Sequence, residues 1–60
     1  MIVCFEFANG EKYVKAMVDV PRTGENVRIN KNIKGEVANV VWDVDKNLAE
    51  TQVTVYLKEV

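Results

Sequence analysis

Histidine and serine are absent from this sequence, and cysteine occurs once, as Cys4. Without histidine there is no imidazole base to activate a nucleophile, and the threonines lie in turn or strand contexts with no evident base beside them. No enzyme and no catalytic residue is expected. A lone cysteine cannot close an internal disulfide, and Cys4 has neither a second cysteine nor a histidine with which to hold zinc. Neither a metal nor a cofactor is expected. No apolar run approaches the roughly 20 residues needed to cross a bilayer, and no basic segment leads into one. A free thiol without an export signal fits a reducing compartment, so a cytoplasmic protein with no membrane partner is expected. An excess of one charge is missing too. Eight basic residues stand against nine acidic ones, for a net charge of −1. That balance disfavours a dedicated nucleic-acid binder and is not acidic enough for a nucleic-acid mimic.

Sixty residues allow one domain, spanning residues 1–60. A chain this short buries only about 60% of the surface it exposes when unfolded. With disulfide and metal excluded, a dense apolar core and self-association remain as sources of stability. At 48% hydrophobic and rich in valine, the chain can supply the core.

The pattern is that of strands. "IVCFEFA" and "EKYVKAMVDV" flank Asn9-Gly10, the strongest short-range signal for a two-residue hairpin turn. Such a loop pairs Phe7 with Lys12, Phe5 with Val14 and Val3 with Ala16. Facing residues share a side of the sheet. One side then carries Met1, Val3, Phe5, Phe7, Val14, Ala16, Val18 and Val20. The other carries Ile2, Cys4, Glu6, Tyr13, Lys15, Met17 and Asp19. Pro21 ends the second strand because it has no amide to donate. Gly24 is the expected positive-φ residue of the turn that follows. A third strand is expected at 27–30, with Val27 and Ile29 inward and Arg28 outward, then a loop over 31–35.

A fourth strand is expected from about Glu36 to Val44. Its two alternations are both partly apolar, Ala38, Val40, Trp42 and Val44 against Val37 and Val41. That indicates a strand covered on both faces, or one bent by a bulge. Trp42 is expected in the core. Residues 45–50 read as a polar connection, where a single helical turn is the alternative, and 51–60 as the last strand. Curling these strands into a five-stranded antiparallel barrel covers the apolar face and removes free edges. An oligonucleotide-binding type of barrel fits less well, since it needs a longer chain and a helix between strands.

The run Pro21-Arg22-x-Gly24-x-x-Val27-Arg28-Ile29, then Gly35-x-Val37-x-x-Val40-Val41-Trp42, then Val53-x-Val55-x-Leu57, resembles small SH3-like β-barrel proteins. It is also similar to short orphan proteins of bacteriophages and mobile elements that share the "PR-x-G" turn and the "V-x-x-V-x-W" strand. The resemblance covers about residues 20–57. It implies an all-β, single SH3-like barrel, and a binding module rather than an enzyme. It carries no binding residue over to this chain, because such barrels bind peptides, nucleic acids or other subunits.

Two groups of residues are candidate sites. Ile2, Cys4, Tyr13 and Met17 form an expected apolar patch on the outer side of the first hairpin, which suits a protein partner or a homodimer. Arg22, Arg28, Lys31 and Lys34 concentrate positive charge in 21–35, opposed there only by Glu25, while the acidic residues gather at 36–50. Such a cluster suits an anion, a phosphate backbone or an acidic partner. Asp43 and Asp45 could form a carboxylate pair but read more simply as solubilising charges at a strand end. The leading expectation is a non-enzymatic binding module acting through protein–protein contacts, an inhibitor or adaptor of a host machine encoded by a phage or mobile element. The alternatives are a nucleic-acid-binding barrel using the basic 22–34 segment, and a nucleotide-binding protein with its ligand at a dimer interface.

Overall fold

The computed structural model describes residues 1–44 and 52–59. Five strands form one sheet: β1 Ile2–Phe7, β2 Lys12–Ala16, β3 Asn26–Asn30, β4 Ile33–Trp42 and β5 Val53–Lys58. No helix occurs among the described residues. The connection expected over 45–50, and with it Asp45, lies outside them.

The strand order is β2-β1-β5-β4-β3. β1 pairs antiparallel with β2, β4 with β5, and β3 with β4, but β1 and β5 run parallel. The expected all-antiparallel sheet is therefore corrected to a mixed one, curled into a half-barrel whose edge strands are β2 and β3. The cause is the segment 17–25. It does not turn back to lay a strand beside β2 but carries the chain to the opposite edge. The last strand then fills the gap between β1 and β4. Running antiparallel to β4, it comes out parallel to β1.

The inner face is lined by Val3, Phe5, Phe7, Val37, Val53, Val55 and Leu57, all buried. Tyr13, Met17, Val20, Val27, Ile29, Ile33 and Val40 pack around them, half-buried. Met17 and Val20 belong to the crossing segment, so the link between the two edges also covers the core.

The first hairpin differs from the two-residue loop by one position. Phe7 N–H donates to the Glu11 carbonyl at 2.9 Å, and Gly10 N–H donates to the Phe7 carbonyl at 3.0 Å. Gly10 has φ +94°, whereas Asn9 keeps a negative φ. A type I′ turn needs positive φ at both central residues; a three-residue loop ending in a glycine bulge needs it only at the last. The chain takes the second form, and the Asn9 side chain secures it by accepting the Glu11 amide at 2.9 Å. Phe5 consequently faces Tyr13, and Val14 faces Cys4. Every side chain of β2 is on the face opposite to the one expected. Val14, Ala16 and Val18 leave the inner set, Val18 being 89% exposed. Tyr13 enters it and meets the Phe7 ring edge-on, with centroids 6.2 Å apart.

β4 is bent by a bulge, the second of the two arrangements its pattern allowed. Val37 pairs with Leu57 and Asn39 with Tyr56, leaving Ala38 without a partner. The extra residue changes the phase, so Val37 and then Val40 and Trp42 share the inner side. Trp42 lies at the end of the strand and is 55% exposed, not buried as expected. The loop expected over 31–35 is a tight turn at Lys31-Asn32. Asn30 Oδ1 accepts the amides of Asn32 at 2.8 Å and Ile33 at 3.1 Å, which allows pairing to resume at once. Gly35 is buried in β4; a Cβ there would lie 2.9 Å from the Lys58 carbonyl oxygen and 3.0 Å from the Phe7 ring.

The turn after Pro21 forms as expected, but the second strand, expected to run up to Pro21, already ends at Ala16. Gly24 has φ +93°, and Glu25 N–H donates to the Arg22 carbonyl at 3.0 Å. Positive φ at the third position makes this a type II turn. The Glu25 carboxylate accepts the Arg22 amide at 2.6 Å and braces it.

Candidate functional site

The outer face of the sheet carries an uncharged row of side chains, exposed at its two ends, Val14 and Val41. Pairing registers place Val14 opposite Cys4, Cys4 beside Thr54 and Thr54 opposite Val41. The row crosses four strands, about 14 Å at the usual spacing of neighbouring strands. Ile2 and Ala16 flank it on one side and Tyr56 on the other. Val14 is 58% exposed, and Ile2, Val41 and Tyr56 are also exposed. The next row carries Lys12, Glu6, Tyr56 and Asn39, and one row further on lie Lys58 and Glu36. Lys12 lies opposite Glu6 with 4.0 Å between their charged atoms, and Lys58 lies 3.7 Å from Glu36. The lysines are exposed and the glutamates half-buried, so both pairs add little to the stability of the fold.

Of the four residues expected in an outer apolar patch, Ile2 and Cys4 are on this face. Tyr13 and Met17 are not; the one-residue change of register takes Tyr13 to the core side, and Met17 packs there as well. The outer face takes Val14, Val41 and Tyr56 in their place. Tyr56 was legible as an outward residue of the last strand. Val14 required the correct hairpin loop, whereas Val41 alternates with Val40 and Trp42 and was already legible as outward.

Cys4 is buried. Burial pushes its thiol pKa up from the ordinary 9.0, and the nearby Glu6 carboxylate adds to the rise against an opposing pull from Lys12. A thiol held protonated is a poor nucleophile. The Tyr13 hydroxyl donates to Glu11 Oε2 at 2.6 Å, and this bond raises its pKa above 10.0.

The basic residues separate into two places. Arg28 lies directly opposite Lys34 in the β3–β4 ladder, with Lys31 in the turn just beyond. Arg22 precedes β3 and sits at the other end of the strand, in the Pro21 corner. There it helps wall an open depression of about 690 Å³ with Trp42, Met1, Met17, Val20 and Pro21. Like charges directly opposite one another destabilise a sheet. Among the described residues, no carboxylate lies within ion-pair distance of Arg28, Lys31 or Lys34.

No group of three or more cysteine, aspartate or glutamate side chains among the described residues is placed to hold a metal ion. No helix among them is long and apolar enough to cross a membrane. Compared with protein-family models, curated proteins and solved structures, the chain matches none.

Proposed function

We propose that this chain is a non-enzymatic binding module that docks a partner protein on the outer face of its sheet. The observation that carries the reading is the row Val14–Cys4–Thr54–Val41, uncharged across four strands, exposed at Val14 and Val41, and bordered on one side by the Lys12–Glu6 ion pair. A row with no charged side chain favours an apolar, uncharged protein patch over a phosphate backbone. The resemblance to SH3-like barrel proteins of phages and mobile elements supports a partner in a host machine that the chain inhibits or adapts. The test uses the partner captured by the wild type, once purified. Val41→Lys should weaken its binding by at least about tenfold, as expected for a charge placed on an exposed contact residue of the row. Val18→Lys, at an exposed site away from the face, should leave it unchanged. Equal affinity for both variants would remove the reading.

A second reading is favoured by one observation, the opposition of Arg28 and Lys34. A like-charge pair costs stability unless an anion lies against it, so this hairpin end suits a phosphate or an acidic side chain. It has three cations, Arg22 being elsewhere. If they neutralise three phosphates of duplex DNA, affinity should fall about fortyfold between roughly 50 and 200 mM salt. Arg28→Ala with Lys34→Ala should flatten that dependence. We rank this reading second because the chain has no net positive charge.

A further inference from the structure

β2 is an edge strand, and its free side can be identified residue by residue. Met1 and Met17 exchange two hydrogen bonds, the Met1 amino group donating to Met17 at 2.9 Å and Met17 N–H donating to Met1 at 2.8 Å. At the other end of the hairpin, Phe7 N–H donates to Glu11 at 2.9 Å. In an antiparallel ladder, bonded and non-bonded pairs alternate. Val3–Lys15 and Phe5–Tyr13 are therefore bonded pairs, and the amides and carbonyls of Lys12, Val14 and Ala16 point away from β1. None of these outward groups has a hydrogen-bond partner among the described residues. Lys12, Val14, Lys15 and Ala16 are all exposed.

We propose that β2 pairs with β2 of a second copy of this chain, antiparallel, with Val14 opposite Val14 on a two-fold axis. The occupant follows from the sequence Lys12-Tyr13-Val14-Lys15-Ala16, which is self-complementary in this register. Lys12 faces Ala16 of the second copy, Tyr13 faces Lys15, and no lysine meets a lysine. On the inner side, Lys15 of the second copy lies across from the Tyr13 ring and diagonal to the Glu11 carboxylate that accepts the Tyr13 hydroxyl. The ammonium so meets an aromatic face and an opposite charge. Sliding by two residues in one direction sets Lys15 against Lys15. Sliding in the other leaves Lys15 and Ala16 beyond the end of the opposing β2. The lysines thus exclude one neighbouring register, and the other shortens the ladder by one bonded pair.

The bonded pairs Lys12–Ala16, Val14–Val14 and Ala16–Lys12 form about six backbone hydrogen bonds, two to each pair. The contact is isologous and closes on itself, so it makes a dimer and not a fibre. The sheet and its outer uncharged row become continuous through both copies. The pairing uses the edge and not the face, so it stands whether or not the face docks another protein.

The edge is tested by sedimentation equilibrium on the full chain, with amide hydrogen exchange as a second measurement. The wild type should approach twice the 6.8 kDa chain mass with increasing concentration. Amides of Lys12, Val14 and Ala16 should be protected at high concentration and lose that protection on dilution. Val14→Lys sets lysines together on the axis, and Val14→Pro removes an outward amide that β1 does not use. Each should weaken dimerisation at least tenfold, with the other β1–β2 amides still protected. Val41→Lys should not change it. A wild-type monomer at every concentration, a dimer whose outward β2 amides exchange freely, or a dimer dissociated by Val41→Lys and not by Val14→Lys would each overturn the proposal.

Discussion

Phe5 lies directly opposite Tyr13, and this pairing decides which half of β2 belongs to the core. Phe5 is 1% exposed, while Val14, one position along from its partner, is 58% exposed. In non-bonded antiparallel pairs the Cα atoms approach to about 4.5 Å. Cross-strand Hα–Hα contacts should therefore appear in NMR spectra between Cys4 and Val14 and between Glu6 and Lys12. Contacts between Phe7 and Lys12 and between Phe5 and Val14 in their place would mean a two-residue loop at Asn9-Gly10.

Truncating Phe5 should remove most of the stability. A buried aromatic cut to alanine costs about 3–5 kcal/mol. A domain of this size has little more than that in total. Urea titration of Phe5→Ala should show a chain largely unfolded without denaturant. Val18→Ala should stay within about 0.5 kcal/mol of the wild type, as expected for an exposed site.

Gly35 is expected to be intolerant of even one added methyl, although its backbone is of a kind any residue adopts. The obstacle is the Lys58 carbonyl, main chain in the neighbouring strand, with the Phe7 ring beside it. Overpacking of a close-fitted site costs about 1–3 kcal/mol. Gly35→Ala should lower the urea midpoint accordingly, and Phe7→Leu in the same chain should recover part of the loss. Full stability in Gly35→Ala alone would show that β4 and β5 can move apart there.

Stability should fall in alkali. Cys4 and Tyr13 both have pKa values raised by folding, from ordinary values of 9.0 and 10.0. The native state therefore keeps these protons after the unfolded chain has begun to lose them. The corresponding stability is present in full below about pH 9 and is lost as pH rises through the raised values. Denaturant midpoints measured from neutral pH upward should decline above pH 9. Cys4→Ala should remove the earlier part of the decline and Tyr13→Phe the later part. In native protein at neutral pH, Cys4 should react with thiol reagents far more slowly than in urea.

The strands and their turns were largely legible because each depends on local chemistry. Alternation of Val, Ile and Phe identifies a strand within a few residues, and Pro21 and Gly24 act on their own backbone torsions. That is why the corner at 21–25 and the inward Val27 and Ile29 match the structure. The bulge in β4 was visible as two competing alternations. The basic cluster was legible as a count, but its division into Arg28, Lys31 and Lys34 at one end and Arg22 at the other was not, since spacing along the chain does not measure distance across a ladder.

Three features were decided only by the tertiary structure. Asn9-Gly10 suits two loops of nearly equal merit, and the choice is made by what β2 gains when Tyr13, with its larger apolar area, takes the inner side in place of Val14. Strand direction leaves no trace in alternation, because a strand reads the same beside a parallel or an antiparallel neighbour. The central place of β5, parallel to β1, follows from the route of residues 17–25 across the core. The outer uncharged row exists only when β1, β2, β4 and β5 are laid side by side. By itself, the sequence determined an all-β chain with a valine-rich core and no internal disulfide. Which apolar residues would be left facing outward was determined by register, a long-range property that a one-residue change reverses for a whole strand.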